Sequence, residues 1–226
     1  MVLGLALVTV PALAQDATNP AVPSIVTHGD ATVRRAADQA FVTAAVETRA
    51  RNPRDAQQQN AAGMTAVLQR LASMGLPKDA VRTLGYTVQQ EFDFVSGRRV
   101  PREFVARNAV EVRVDVIDRT GDIIDGVLQA GATSVERVRF DVKDRVNLER
   151  EALRLAVEDA RARADAAAAG AGRTVDRVLR IDDTRQPEYR GPVLMAARPA
   201  GDAPPTPIEA GPIEIHATVA LTVAIK

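Results

Sequence analysis

The chain has 226 residues, and its 29 basic and 29 acidic side chains leave no formal net charge. This balance excludes the basic surface that nucleic acids and anionic membranes require. Aromatic residues make up only 3% and tryptophan is absent, so the core must be built from Val, Leu, Ile and Ala, with few rings for stacking bases or sugars. Because cysteine is absent, disulfides and thiol chemistry are excluded as well.

The first residues predict a secretory signal over residues 1–14. Residues 2–10 are almost wholly apolar, and Ala12-Leu13-Ala14 is the small-x-small pattern that a signal peptidase accepts. The run is shorter than the roughly 20 residues that span a bilayer, so we expect no membrane span after cleavage. A membrane anchor and a buried N-terminal strand or helix are the alternatives. The sequence thus predicts an exported, periplasmic protein with a disordered leader at 15–23 and one folded domain at 24–226.

The first part of the domain shows two strand patterns and a helix pattern. Runs rich in β-formers at residues 25–32 and 41–48 predict two strands joined by a polar turn. Asn52 and Pro53 predict a helix start, because Asn caps free N–H groups and Pro lacks one where none is needed. Gly75 predicts the helix end. Spacings of three and four predict a buried stripe of Ala56, Asn60, Gly63, Met64, Val67, Leu68 and Leu71.

The central part predicts a long hairpin and the longest helix. Residues 81–94 and 104–117 predict two strands joined by a polar turn, since valines alternate with charged residues in the second run. A short helix over 121–130 and a strand over 135–142 follow. The pattern over 147–171 then predicts a helix whose buried side comprises Leu148, Ala152, Leu155, Ala156, Ala160, Ala164 and Ala167.

Residues 174–181 and 213–225 predict the last two strands. The Pro-rich loop between them, residues 182–212, is expected to be mobile. The order helix, strand, strand therefore occurs twice, and a weak internal duplication is one interpretation. The predicted fold class is α+β: an antiparallel sheet with two principal helices, which begin near Asn52 and Asn147, packed mainly on one face.

Few side chains are candidates for chemistry. His28 and His216 are the two histidines, and neither has partners at the spacing that a metal site or a catalytic triad needs. We interpret both as strand residues that face solvent or a neighbour. Asp182, Asp183 and Glu209 could offer carboxylates to a hard cation, but they lack a glycine-punctuated ligand pattern. A solvated turn is the favoured interpretation.

Other conspicuous residues have structural interpretations. Gly121, Gly126 and Gly131 do not lead from a strand into a helix as a phosphate-binding loop does, and we interpret them as turn and cap residues. Asn60 lies on an apolar stripe, where a buried amide needs partners, and a structural hydrogen bond is favoured over a ligand contact. Ordinary cross-strand packing is favoured over an exposed patch for Tyr86, Phe92, Phe94 and Phe104. We predict no catalytic, cofactor-binding or metal-binding residue.

A set of dispersed motifs resembles a known family. The set comprises Gly29-Asp30-Ala31, Ala37-Asp38-Gln39-Ala40, Asn60, Gly97, Gly131-Ala132, Phe140, and the alanine-rich helix that ends in Gly170 and Gly172. From about residue 25 to 225 the chain is similar to the SIMPL domain family. These bacterial envelope proteins include the periplasmic immunogenic protein and the oxidative stress defence protein. The resemblance implies a link to stress tolerance and brings no catalytic residues with it.

These observations favour a non-enzymatic exported protein that acts by self-assembly or partner binding, in envelope or oxidative stress protection. Long strands have edges that can pair between subunits, so we expect a homo-oligomer or an envelope protein partner, without nucleic acid or cofactor. A periplasmic carrier or sensor of a small ligand is the alternative, with its pocket between sheet and helices near Asn60. An envelope hydrolase that uses His28 or His216 is a third hypothesis.

Overall fold

The computed structural model describes residues 22–184 and 208–226. The predicted signal, nearly all of the predicted leader and most of the predicted loop lie outside the described residues. Among the described helices, none has both the length and the apolar character needed to cross a membrane. The elements are β1 (Ser24–Ala36), β2 (Gln39–Ala50), α1 (Pro53–Ser73), β3 (Val81–Val95), β4 (Arg98–Val114), α2 (Thr120–Gln129), β5 (Ser134–Asp141), α3 (Arg145–Gly170), β6 (Val175–Asp183) and β7 (Pro212–Ile225).

The strands form two antiparallel sheets, each with its own helix layer. One sheet has the order β1-β7-β6 and the other the order β3-β4-β2-β5. α3 packs on β1 and β7, whereas α1 packs on β2 and β4 with α2 beside it. Buried side chains from both sheets join in one hydrophobic cluster. The predicted α+β class with antiparallel pairing is therefore confirmed, with the strands divided between two sheets.

The predicted ends of α1 are confirmed. The amide of Asp55 donates to Asn52 Oδ1 at 2.9 Å, and Pro53 begins the helix. Gly75, at φ +82°, follows the last turn in the left-handed conformation that glycine adopts without strain. The buried stripe consists of Ala56, Asn60, Met64, Val67 and Leu71. Leu68 was predicted in this stripe and is exposed instead.

α3 lies directly against the backbone of β1 at Gly29. A Cβ added at Gly29 would overlap the Ala156 carbonyl oxygen and the Ala160 nitrogen, and it would stand 2.7 Å from the Ala160 Cβ. Thr27 Oγ1 donates to the Ala160 carbonyl at 2.8 Å, which adds a polar tie beside the contact. The helix can approach so closely because its buried side is a row of fully enclosed alanines: Ala152, Ala156, Ala160, Ala164 and Ala168.

This row differs from the predicted stripe at its C-terminal end. Ala167 was predicted on the buried side, but Ala168 is buried and Ala167 is exposed. Residues spaced by four follow a ridge inclined by about 26° to the helix axis. The sheet therefore contacts the helix along a line inclined to its axis. The predicted stripe followed the axis, and so it included Ala167 in place of Ala168.

Charged side chains hold α3 in place at the rim of this contact. Asp30 donates its amide to Asp159 Oδ2 at 3.1 Å, and Arg163 bridges Asp30 and Asp159 at 3.0 and 2.8 Å. The hydrogen bond from Arg163 to Asp159 raises the pKa of Arg163 above its ordinary value. Because these groups are largely solvent-exposed, we expect them to fix the position of the helix more than to stabilise the fold.

The two sheets contain the same arrangement of four elements. In one, β2 is followed by α1 and the hairpin β3–β4, and the order is β3-β4-β2. In the other, α3 is followed by the pair β6 and β7, and β1 completes the order β6-β7-β1. In each unit the helix covers the second strand of the pair and the strand on its other side, which are β4 and β2 in one sheet and β7 and β1 in the other. The first hairpin strand, β3 or β6, is left at the sheet edge.

The sheets are joined where β1 turns into β2 and β5 leads into α3. Asp38 donates its amide to the Asp141 carbonyl at 3.1 Å, and its Oδ1 accepts from the Lys143 amide at 2.7 Å. The nearly buried Asp141 carboxylate accepts from Arg139 at 2.7 Å and from Arg145 at 2.9 Å. One carboxylate thus links the end of β5 to the first turn of α3.

The close helix contact predicts that Gly29→Ala destabilises the protein by about 3 kcal/mol, as overpacking against rigid backbone does. Gly85→Ala is the matched control, because Gly85 also lies in a strand and a Cβ added there meets nothing within 4 Å. Urea unfolding followed by circular dichroism measures both. Equal stability of the two variants would contradict the described contact.

Candidate functional site

The most prominent exposed feature is the hairpin of β3 and β4. The two strands have 15 and 17 residues, which is far longer than an average strand. Ser96 and Gly97 have φ of +50° and +77°, the left-handed pair that a two-residue type I′ turn requires. This tight turn confirms the predicted polar turn and keeps the strands paired to the tip, so that β4 begins at Arg98 and not at the predicted residue 104.

Large apolar side chains are exposed along this hairpin. Residues 82–89 of β3 are all exposed, on both faces of the strand. Phe94 is 76% exposed and Val95, beside the turn, is 56% exposed. The complete set is Leu84, Tyr86, Val88, Phe94, Val95 and Val100, and we call it the hairpin surface. Exposed apolar side chains grouped on one element in this way are typical of an interaction site.

The four aromatic residues of the hairpin share one face. Tyr86 lies opposite Asn108, and Phe104 shares the face of Asn108 by alternation on β4. Phe92 and Phe94 lie on the face of Tyr86 by alternation on β3, because the extra residue of the register shift between Gln90 and Phe92 belongs to β4. The shift between Thr83 and Gly85 adds its extra residue to β3 instead, and Leu84 therefore lies on the opposite face.

Polar contacts fix the hairpin tip. The Arg99 guanidinium lies 3.5 Å above the centre of the Phe92 ring, a favourable cation–π arrangement. Arg102 pairs with Asp93 at 2.7 Å. Further down the hairpin, Arg49 of β2 contacts Glu91 at 3.3 Å. The hairpin surface is consequently presented on a braced element.

A shallow depression lies on the face of the four-stranded sheet opposite α1. It has a volume of about 260 Å³. Thr43 lies at its floor, opposite Glu111 on β4 and Arg137 on β5. Glu111 pairs with Arg82 at 2.8 Å. The depression thus offers charges of both signs beside two apolar groups, and its lining comprises Phe41, Thr43, Leu84, Glu111, Glu136, Arg137 and Arg139.

Asn60 is fully buried between α1 and the sheet. Its Nδ2 donates to the Val46 carbonyl at 2.7 Å and to the Ala106 carbonyl at 2.9 Å. The predicted structural hydrogen bond is confirmed, because both amide hydrogens are used on the backbone of two neighbouring strands. Its Oδ1, like that of Asn108, is buried without a partner among the described residues. The enclosed side chain is not the wall of an open pocket.

The two histidines lie on the outer face of the three-stranded sheet. His216 Nδ1 is 2.8 Å from Thr32 Oγ1, and its Nε2 is 3.6 Å from Glu214. The His216 side chain is 57% exposed and His28 is exposed as well. Both interpretations as strand residues are confirmed. A Thr–His–Glu row on a flat, solvated face lacks the water-excluding cleft in which such groups act as catalysts.

The remaining candidate residues are dispersed. Within residues 22–184 and 208–226, no three His, Asp or Glu side chains converge to hold a metal. Asp182 pairs with Arg180 at 2.6 Å, and Glu209 is exposed. Gly131, at φ +107°, follows α2 as a turn residue, whereas Gly126 inside α2 packs against Met74. None of these residues forms a site with another.

The comparison with known families agrees with this architecture. Residues 25–223 match the SIMPL family, which is described as a protein of unknown function (DUF541). The chain belongs to the SIMPL family. The match runs from the second residue of β1 almost to the end of β7. The resemblance read from the dispersed glycines and alanines is therefore confirmed.

Three known proteins are similar to this chain over a shorter segment. They are the uncharacterized protein YggE of Escherichia coli K12, of Escherichia coli O157:H7 and of Shigella flexneri. Each is 24% identical over 138 residues, which is 61% of this chain and 56% of the relative. The match thus spans little more than half the length of these relatives. Their names assign no activity.

The Asn60 contacts predict a pH-dependent loss of stability in Asn60→Asp. A carboxylate here faces two carbonyl oxygens without solvent, so the pKa of the introduced carboxyl rises above its unfolded value of about 3.9. The loss is then largest at neutral pH, and its pH-dependent part disappears as the pH falls below the unfolded pKa. A smaller loss remains there, because the protonated carboxyl has one donor where Asn60 has two. Asn60→Leu, the control, should lose about 1–3 kcal/mol at every pH. Parallel pH profiles for the two variants in urea unfolding would contradict this account.

Proposed function

We propose that this SIMPL-family protein is an exported, non-enzymatic protein that acts by self-assembly or by binding an envelope partner. The role we propose is protection of the envelope, including protection against oxidative stress. The hairpin surface carries this proposal. It holds six exposed apolar side chains on an element braced by ion pairs, and such surfaces are usually covered by another protein.

Two further observations support a binding role over a catalytic one. The reactive candidates, His28 and His216, lie on a solvated sheet face, where neither water exclusion nor a preorganised oxyanion site assists catalysis. Asn60 is fully buried in the core, and both of its amide hydrogens are donated to backbone carbonyls. Export is supported by the apolar run and the Ala12-Leu13-Ala14 pattern of residues 1–14.

Self-assembly predicts a mass in solution that is a multiple of the chain mass. The protein, produced with its own N-terminal segment and purified from the periplasm, is measured by light scattering after gel filtration at micromolar concentration. Crosslinking in intact cells tests the binding of an envelope partner in parallel. A strict monomer that also recovers no crosslinked partner would contradict the proposal.

A small-ligand role is the second candidate, and the depression over Thr43 favours it. Its lining holds two carboxylates and two guanidinium groups beside Phe41 and Leu84. Charges of both signs near an apolar wall suit a zwitterion such as a free amino acid. The pocket near Asn60 that the sequence predicted is not the place for it, because that side chain is enclosed.

The ligand hypothesis predicts saturable binding of an apolar L-amino acid, measured by calorimetry with leucine and phenylalanine as probes. Arg137→Gln should weaken binding at least tenfold, because the carboxylate loses its guanidinium partner. Arg150→Gln, on the exposed face of α3, is the control and should leave binding unchanged. Absence of heat at millimolar probe, or equal loss in both variants, would exclude this role.

A further inference from the structure

The central part of the edge strand β3 is uncharged and exposed. Residues 83–90 carry no charged side chain, and residues 82–89 are exposed on both faces. Proteins usually place charges, prolines or a covering element on such an edge, because its free N–H and C=O groups pair with other strands. An uncharged, uncovered stretch of this length is therefore a feature that needs a partner.

The other sheet edges in the described residues carry charged side chains at shorter intervals. β5 carries Glu136, Arg137 and Arg139 within its eight residues. β6 carries five aspartate and arginine side chains within its nine residues. β1 has charged side chains at positions 30, 34 and 35. The contrast makes β3 the edge on which charge opposes strand pairing the least.

The hydrogen-bond pattern of the sheet determines which residues of β3 offer their backbone outward. The Glu47 amide donates to Thr133 Oγ1 and the Ala45 carbonyl accepts from the Thr133 amide. The backbone N–H and C=O groups of Ala45 and Glu47 therefore point away from β4. Those of the alternate residues of β2 point toward β4. By the alternation of an antiparallel ladder, Val46 pairs by hydrogen bonds with Asn108.

The same alternation continues across β4. The backbone groups of Ala106 and Asn108 are directed to β2. The backbone N–H and C=O groups of residues 105, 107 and 109 are therefore directed to β3. Their partners are Gln89, Thr87 and Gly85. The residues between these, Tyr86 and Val88, consequently direct their N–H and C=O groups to the free edge.

We propose that β3 pairs antiparallel with β3 of a second copy of this chain, about a two-fold axis at Thr87. In this register Tyr86 lies opposite Val88 of the other copy, and the reverse, so that their outward N–H and C=O groups bond to one another. An aromatic residue opposite a β-branched one is a favourable cross-strand pair. The inference rests on the proposed self-assembly and names its surface: two four-stranded sheets become one eight-stranded sheet.

The positions of the bulges support this register. The ladder of β3 with β4 shifts between Thr83 and Gly85, where the extra residue lies in β3, and again between Gln90 and Phe92, where it lies in β4. The regular segment between the shifts, residues 85–90, contains the two-fold position at Thr87. A pairing centred there uses the regular backbone and leaves the irregular ends outside the shared ladder.

Charge favours the antiparallel direction and an identical partner. Arg82 lies at the beginning of β3, whereas Glu91 and Asp93 lie toward its end. The antiparallel register brings Arg82 beside Glu91 of the second copy at both ends of the uncharged segment, whereas a parallel pairing would place like charges together. An isologous contact of this kind closes on itself as a dimer.

The helix layer leaves room for the second copy. α1 packs on β2 and β4, so that Tyr86 and Val88 remain 46% and 37% exposed on the same side as the helix. In the paired sheet these side chains lie next to their counterparts and lose contact with water. The pairing therefore adds apolar burial to the backbone hydrogen bonds.

The absence of cysteine from the chain permits a direct test by Thr87→Cys. At the two-fold position the pair is a non-hydrogen-bonded one with Cα atoms about 4.5 Å apart, within the range of a disulfide. Mild oxidation should convert most of the protein to a covalent dimer. Ile181→Cys on the edge strand β6 is the matched control, with 50% of Ile181 exposed, and should remain uncrosslinked. Equal crosslinking of both variants, or none at position 87, overturns the proposed pairing.

A second variant tests the same edge without covalent chemistry. Val88→Lys places a charge on the edge and should raise the dissociation constant of the assembly at least tenfold, whereas Ile181→Lys should leave it unchanged. Circular dichroism melting establishes that both variants fold. If the unmodified protein is a monomer at micromolar concentration, self-assembly and this interface fail together. If it assembles and Val88→Lys assembles equally well, the interface is wrong while self-assembly stands.

Discussion

The contact between α3 and Gly29 fixes the longest helix on the sheet in which the two ends of the described chain pair. β1 is the first strand and β7 the last, and α3 packs on both at once. This packing requires a helix whose buried side projects no more than a methyl group and a strand position with no Cβ at all. Both requirements are met by the alanines at 152, 156, 160, 164 and 168 and by Gly29. A larger group on either side would push the helix from the sheet and expose the core that both ends share.

The repeated arrangement of a strand, a helix and a hairpin explains where the molecule remains uncovered. In each sheet the helix spans two strands, and the first hairpin strand projects beyond it as an edge. β6 balances that exposure with aspartates and arginines, while β3 does not between residues 83 and 90. Two edges of the same origin in the topology thus have different surface chemistry. This asymmetry is the basis of the pairing proposed for β3.

The interior uses its polar groups for architecture. Asn60 binds carbonyls of β2 and β4, and Asp141 joins β5 to α3 through two arginines. Such buried polar groups specify the relative position of elements, since each must meet its partner to offset the loss of hydration. With these groups committed to the fold, the chemistry available to a partner lies on the surface, in the hairpin and in the shallow depression over Thr43.

By itself the sequence determined the element types, most of their ends and the family. Asn52 and Gly75 act within one turn of chain, and the strand and helix periods repeat often enough to be recognised locally. The division into two sheets, the bulges of the β3–β4 ladder and the inclined alanine row of α3 were decided by the tertiary structure. These features depend on which strands lie side by side and on how a helix crosses a twisted sheet, and neither leaves a repeating pattern in the sequence. The separation of Leu84 from Tyr86 arose in this way, because one extra residue in β3 moves Leu84 to the face of the depression.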